Sequence, residues 1–472
     1  MPVTPSSAGL QRKLAGLWAG LASAAICYAE YLGLGAVLGP ALLGYGDQSK
    51  SVGTLLVVLS ACLSGLLLAA RGLPYVAGPR GASLSILVLC LVGLQTLLPG
   101  TAAQQLPVLA SLVLGCVCML LLASTRQGQQ RFARLPAWLM PAFIYASAVG
   151  IVAGAAGKYL YGCLQRAPLA TWGIFLGACL VGVLWSQFFQ ARYAAAVKVQ
   201  ALQRARRAKQ LQGLALIVAA AVAWLAYEFS PLAASTAGQC ARLGQVDLHL
   251  QVLGERMAQL GHSLGGPLPW LPLLLAWVLG MGVGTVAAIE SRAALDVLQS
   301  EAAKQQLASP TPTQGSALRW QALSTAVLLP CTSVPAAYSQ SRTLMLWQLG
   351  GTTAWAAGCH AVALLGVALL ASQWLAWLPQ LALAVLMTLV AVQMVGEPVQ
   401  RIWRQAYDTS APSTAGLRAG LGLWLVLGIT ALTGQVLLGF VLPAVLHGAY
   451  RFYRRRRFAQ HRRTGQAAST AR

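Results

Sequence analysis

The sequence predicts an all-α, polytopic membrane protein: fourteen transmembrane segments in two inverted sets of seven, with one half-helix in each set. Three observations predict it. Hydrophobic residues make up 57% of the 472-residue chain and charged residues only 9%, where a soluble domain carries roughly 25% charge. Basic residues segregate to alternate loops between the apolar runs. One apolar segment in each half is interrupted by a polar break beside a proline, the arrangement that points to a binding site in inverted-repeat transporters.

A spanning helix needs about 20 apolar residues, and the runs are taken in order on that basis. The first seven spans cover 14–38, 52–70, 76–98, 106–123, 138–156, 170–189 and 211–227. The N-terminal Arg12-Lys13 pair ahead of an apolar run has the look of a signal peptide, but the spans that follow make it the first transmembrane helix. A polar stretch, 228–266, with Asp247, Glu255 and Arg256, separates the halves and has room for an amphipathic helix. The last seven spans cover 268–290, 317–329, 339–350, 354–371, 375–395, 415–432 and 436–449. The organisation is thus a cytoplasmic N-terminus (1–13), a first repeat (14–232), an extracytoplasmic connector (233–266), a second repeat (267–450) and a basic cytoplasmic tail (451–472).

Charge tests the count. With the N-terminus inside, the cytoplasmic loops hold Arg71, the 126–134 and 192–209 groups, Arg292, Lys304, Arg319, Arg401, Arg404 and the tail; the opposite face holds Lys50, Lys158, Arg166, Arg242 and Arg256. That is a positive-inside distribution. Both termini inside requires an even number of spans, and two halves of seven must be inverted relative to each other. The reading places the chain in a bacterial-type inner membrane. The net charge of +23 is assigned to topology and to anionic lipid rather than to nucleic acid. Ten scattered cysteines, mostly inside apolar runs, suggest neither a disulfide framework nor a metal site. Five histidines form no ligand or nucleophile–base spacing, and no phosphate-binding glycine loop with a lysine is present, so neither an enzyme, a cofactor nor ATP drive is expected.

The candidate site residues are the ionisable groups at bilayer depth, which cost at least ~2.5 kcal/mol each to insert. Arg342 opens the tenth span, just past Ser339 and Ser341, where a helix starting inside the membrane offers free N–H groups and a positive dipole end. Arg80 opens the third span in VAGPRGASLS. Glu30 lies inside the first span between Tyr28 and Tyr31, Glu290 ends the eighth and His360 lies in the eleventh. Each has a structural alternative: Arg80 as a cap reaching lipid phosphate, Arg342 as a brace on helix carbonyls across the half-helix gap, Glu30 as the structural partner of an arginine, Glu290 as an interfacial group, His360 as a packing residue.

These residues resemble the SulP sulfate-permease family of anion transporters. Pro335, Ser339, Ser341, Arg342 and Thr343 match its Pro-x-x-x-Ser-x-Ser-Arg-Thr approach to the tenth helix. His360 and Leu378-Pro379 match features of the next two helices, Ala77-Gly78-Pro79 the approach to the third, and Glu290 an acidic position in the eighth. The resemblance implies a core domain of spans one to four and eight to eleven moving against a gate domain of the remainder, with an anion between the third and tenth helix N-termini. The departures are Arg80, where the family has a small or hydroxyl residue, Leu346 in place of an asparagine, and a tail too short for the family's C-terminal STAS domain.

The function expected is secondary active transport of a small inorganic or carboxylate anion, of sulfate or bicarbonate type, coupled to a proton or sodium ion. Arg80, Ser83, Ser339, Ser341, Arg342 and Tyr28 are the substrate-binding candidates, and Glu290 and Glu30 the cation-coupling ones. Membrane lipids are expected partners and a homodimer is compatible with the pattern. The alternatives are a nucleobase or aromatic-acid permease of the same architecture, and a membrane scaffold or sensor without transport.

Overall fold

The computed structural model describes residues 5–43, 47–97, 102–133, 157–198, 214–233, 251–266, 270–304, 312–331, 334–370 and 377–394, with isolated positions elsewhere. Spans five, thirteen and fourteen and the basic tail lie outside the described residues, isolated positions apart. The chain divides into two units, one of 1–135 with 151–394 and one of 136–150 with 395–472. Everything below belongs to the first.

Its elements are helical apart from two very short strands. The first half contributes α1 (Pro5–Leu43), α2 (Asp47–Ala70), β1 (Ala77–Gly78), α3 (Gly81–Leu97), α4 (Ala102–Ser124), α5 (Arg126–Ala133), α6 (Gly157–Leu164), α7 (Pro168–Lys198) and α8 (Ala215–Glu228). Then follow α9 (Gln251–Leu264), α10 (Trp270–Lys304), α11 (Gln314–Val327), β2 (Ala337–Tyr338), α12 (Gln340–Gln348), α13 (Ala354–Leu370) and α14 (Gln380–Met394). Among the described residues five helices are long and apolar enough to cross a membrane: Lys13–Gly35, Ser51–Ala70, Leu106–Ser124, Pro168–Ala196 and Trp270–Ala303. They coincide with expected spans one, two, four, six and eight. Large apolar side chains such as Leu169 (89% exposed) and Leu370 (80% exposed) project outward, as they do where lipid rather than water is the solvent.

Helices α1, α2, α3, α4, α10, α11, α12 and α13 pack as one group, while α6, α7, α8 and α14 pack mainly on each other. The closest pair is α4 with α10. A Cβ at Gly115 would run into the Trp277 carbonyl, and one at Gly280 into the Leu112 carbonyl, so only glycine permits this backbone approach. Gly20 plays the same part between α1 and α13, where a Cβ would lie 2.7 Å from Cys359 Cβ.

The connector holds a helix, α9, as its pattern allowed; it lies against α4 and buries Leu260. One expectation changes. Cys163, at the buried end of α6, is disulfide-bonded, against the expectation of unpaired cysteines. A bridge depends on Cα atoms coming within about 7 Å, which scattered spacing does not reveal.

Candidate functional site

The break before α3 and the break before α12 meet. β1 and β2 pair antiparallel, Ala77 opposite Tyr338 and Gly78 opposite Ala337. The ladder extends one step, with the Ser339 N–H donating to the Val76 carbonyl at 2.9 Å. Side chains finish what two residues of strand cannot. The Thr343 hydroxyl accepts from the Val76 N–H at 3.0 Å, and Ser291 Oγ accepts from the Tyr338 N–H at 3.2 Å. Beneath the pair, Tyr75, Tyr338 and Trp347 form an aromatic cluster, and the Trp347 indole donates to the Pro74 carbonyl at 2.9 Å.

Local sequence explains why α12 starts where it does. Ser339 is extended (φ −107°, ψ 111°) and its hydroxyl accepts from the Arg342 N–H, an N-cap. Gly350, at φ 95°, follows the last turn, the left-handed conformation glycine takes at helix ends. Nine residues are too few to cross a bilayer, so the N-termini of α3 and α12 open beside each other inside the protein.

Arg342 is the most constrained charged group there. It is 1% exposed. Its Nε and Nη2 donate to the two carboxylate oxygens of Glu30 at 2.9 and 2.7 Å, a bidentate pair. Nη1 donates to the Tyr31 hydroxyl at 2.6 Å and Nη2 also to the Pro79 carbonyl at 3.0 Å. The guanidinium carbon stands 4.0 Å from the Tyr31 ring centroid. One side chain therefore joins α12 to α1 and to the approach to α3. Gly78 makes room for it: a Cβ there would lie 2.6 Å from Tyr31 Oη and 3.0 Å from Arg342 Nη1.

Arg80 and Glu290 are the other two charged groups at the junction. Arg80, 7% exposed, precedes α3 and donates through Nη1 to Ser339 Oγ at 2.8 Å, tying one half-helix start to the other. Glu290, buried in α10, accepts from the Ser83 N–H at 3.3 Å through Oε2. It therefore sits in the first turn of α3, where the helix end attracts negative charge. The Ser83 hydroxyl turns back to the Arg80 carbonyl at 3.3 Å. Ser341, half-buried, lies 3.5 Å from Ser339 through its hydroxyl.

The structure thus brings Arg80, Ser83, Ser339, Ser341, Arg342, Glu290 and Glu30 to one junction. Tyr28 stands apart: it is fully buried, and its hydroxyl has no hydrogen-bond partner among the described residues. His360 Nδ1 lies 2.8 Å from Ser23 Oγ, and Ser23 Oγ lies 3.1 Å from the Gly20 carbonyl, so His360 is tied to α1 away from the junction. Sequence reasoning set Tyr31 beside Glu30 and quoted Thr343, Ser291 and Gly78 within its motifs, but gave none of them a contact at the site.

No protein-family model matches the chain, and no curated protein matches it. Solved structures do. The transmembrane domain of the cyanobacterial bicarbonate transporter BicA matches with a TM-score of 0.53 at 18% identity, over 92% of this chain and 97% of that one. The SLC26A9 structure matches with a TM-score of 0.54 at 16% identity, over 93% of this chain. The chain has the SulP–SLC26 transporter fold. It spans 66% of the SLC26A9 chain. In this fold the junction of α3 and α12 lies within the packing group formed by α1–α4 and α10–α13, the helices that the sequence resemblance assigned to a core domain.

Proposed function

We propose that the chain is a secondary active transporter of a small inorganic or carboxylate anion, bound at the junction of the α3 and α12 N-termini. The observation that carries the reading is the pairing of β1 with β2. It holds two helix N-termini and the buried Arg80 together at one place, and N-termini with a guanidinium form an anion site. The fold likeness to a bicarbonate transporter supports the same class of substrate. The antiparallel run of β1 and β2 is what two inverted repeats produce, and it supports the inverted, fourteen-span layout; in this reading both termini are cytoplasmic and the membrane is of the bacterial inner type. Alternating access in this reading is of the elevator type, which is supported by two helix groups that pack mainly within themselves. A proton or sodium ion is the coupling cation in this reading. Glu290 is its holder, because the Glu30 carboxylate is held by Arg342.

Reconstituted protein on a solid-supported membrane tests this. Addition of chloride, bicarbonate, sulfate or oxalate should produce transient currents. Labelled uracil uptake with no anion response would turn the reading to a nucleobase permease. Silence across every substrate would leave a membrane scaffold.

A further inference from the structure

Resting on that reading, we infer that Arg80 is the side chain that meets the anion, and that the junction is balanced for a single negative charge. The two arginines are not equivalent. Arg342 makes four hydrogen bonds, two of them to Glu30, out of the five N–H donors a guanidinium carries. Among the described residues Arg80 makes one, to Ser339 Oγ, and it keeps 7% exposure against 1% for Arg342. Its remaining N–H groups are donors to offer, where Arg342 has at most one. Arg80 is also placed for it: it precedes the first residue of α3 and touches the cap of α12. Ser339 Oγ accepts from Arg80 and from the Arg342 N–H, so its own proton points away from both, on the side of the half-buried Ser341. Arg80, Ser339 and Ser341 then form one donor set.

The charges decide the valence. Among the described residues four ionisable side chains act at the junction. Arg342 and Glu30 cancel inside their bidentate pair. With no coupling cation on Glu290, Arg80 is offset by that carboxylate, which acts on it electrostatically and lies at the first turn of α3. What remains are the two helix N-termini, each worth roughly half a positive charge. A monovalent anion matches that remainder. A divalent anion leaves a full negative charge in a buried site, which is strongly unfavourable. Neutralising Glu290 shifts the balance by one charge and makes room for the second negative charge.

The test is anion-induced thermal stabilisation of the full chain in sodium-free detergent buffer, with chloride and sulfate as N-methylglucamine salts at matched ionic strength, for wild type, Arg80→Gln, Arg80→Lys and Glu290→Gln. Wild type should favour chloride over sulfate by about tenfold or more, the scale on which an unmatched buried charge discriminates. Arg80→Lys should keep that preference. Arg80→Gln, shown to be folded by its gel-filtration profile, should lose both responses. Glu290→Gln should gain on sulfate relative to chloride. Equal wild-type affinity for the two ions, an Arg80→Gln protein that responds like wild type, or an unchanged ratio in Glu290→Gln would overturn the inference while leaving anion transport standing. No stabilisation by either ion in wild type would overturn both.

Discussion

Replacing Glu30 with glutamine should cost the protein about 3 kcal/mol of stability, near the low end of the roughly 3–5 kcal/mol seen when one partner of a buried ion pair is removed. The geometry sets the size. Glu30 takes two N–H bonds from Arg342 at 2.7 and 2.9 Å, and Arg342 is 1% exposed. Water cannot replace the lost charge. A glutamine oxygen keeps one of the two bonds and turns an NH₂ toward the guanidinium. Tyr31 and the Pro79 carbonyl still hold the other donors, which keeps the loss from reaching the upper end. The assay is reversible unfolding in mixed micelles with increasing SDS fraction, run as a double-mutant cycle with Arg342→Gln. The double variant should recover part of the loss, with a coupling of about 2 kcal/mol or more. A single-variant loss below ~1 kcal/mol, or losses that simply add, would show that the pair does not brace α1 against α12.

Gly78→Ala should displace the Arg342–Tyr31 contact, lowering the unfolding midpoint and abolishing uptake together; normal uptake would refute the close approach measured at that glycine. Thr343→Val leaves the Val76 N–H unpaired in a buried site and should cost about 1–3 kcal/mol, while Thr343→Ser restores most of it in the same unfolding assay. Gly280→Leu should break the α4–α10 contact, so that the protein elutes as aggregate on gel filtration; a monodisperse peak would contradict the packing. Reduction should release two further thiols to maleimide labelling and destabilise the protein by about 2–4 kcal/mol; an unchanged thiol count would rule out the Cys163 bridge.

Hydropathy located the helices because lipid leaves a spanning segment little choice but to be continuous and apolar. Span ten was legible almost to the residue: an expected start at 339 and end at 350 against an observed helix of Gln340–Gln348. Ser339 and Gly350 write those ends locally. Other ends were not legible. Helix α10 continues past Glu290 to Lys304, and α1 begins at Pro5, because a helix does not stop where hydropathy does. The site residues were legible as types, being rare ionisable groups at depth. Their partners were not. Whether Arg342 faces a ligand or Glu30 depends on a contact across 312 positions, which no local pattern encodes. The cysteine bridge was missed for the same reason.

The reach of the β1–β2 junction has a consequence for biosynthesis. Val76 finds Thr343 across 267 positions, and at about 5–20 residues per second a ribosome needs roughly 13–53 s to make that distance. Glu30 emerges earlier still. The first half must therefore reside in the bilayer with an uncompensated carboxylate and an open backbone edge until the second half is translated. Nascent chains arrested before Arg342 should be targets for insertion chaperones and quality-control proteases, and release from them coincides with completion of the brace.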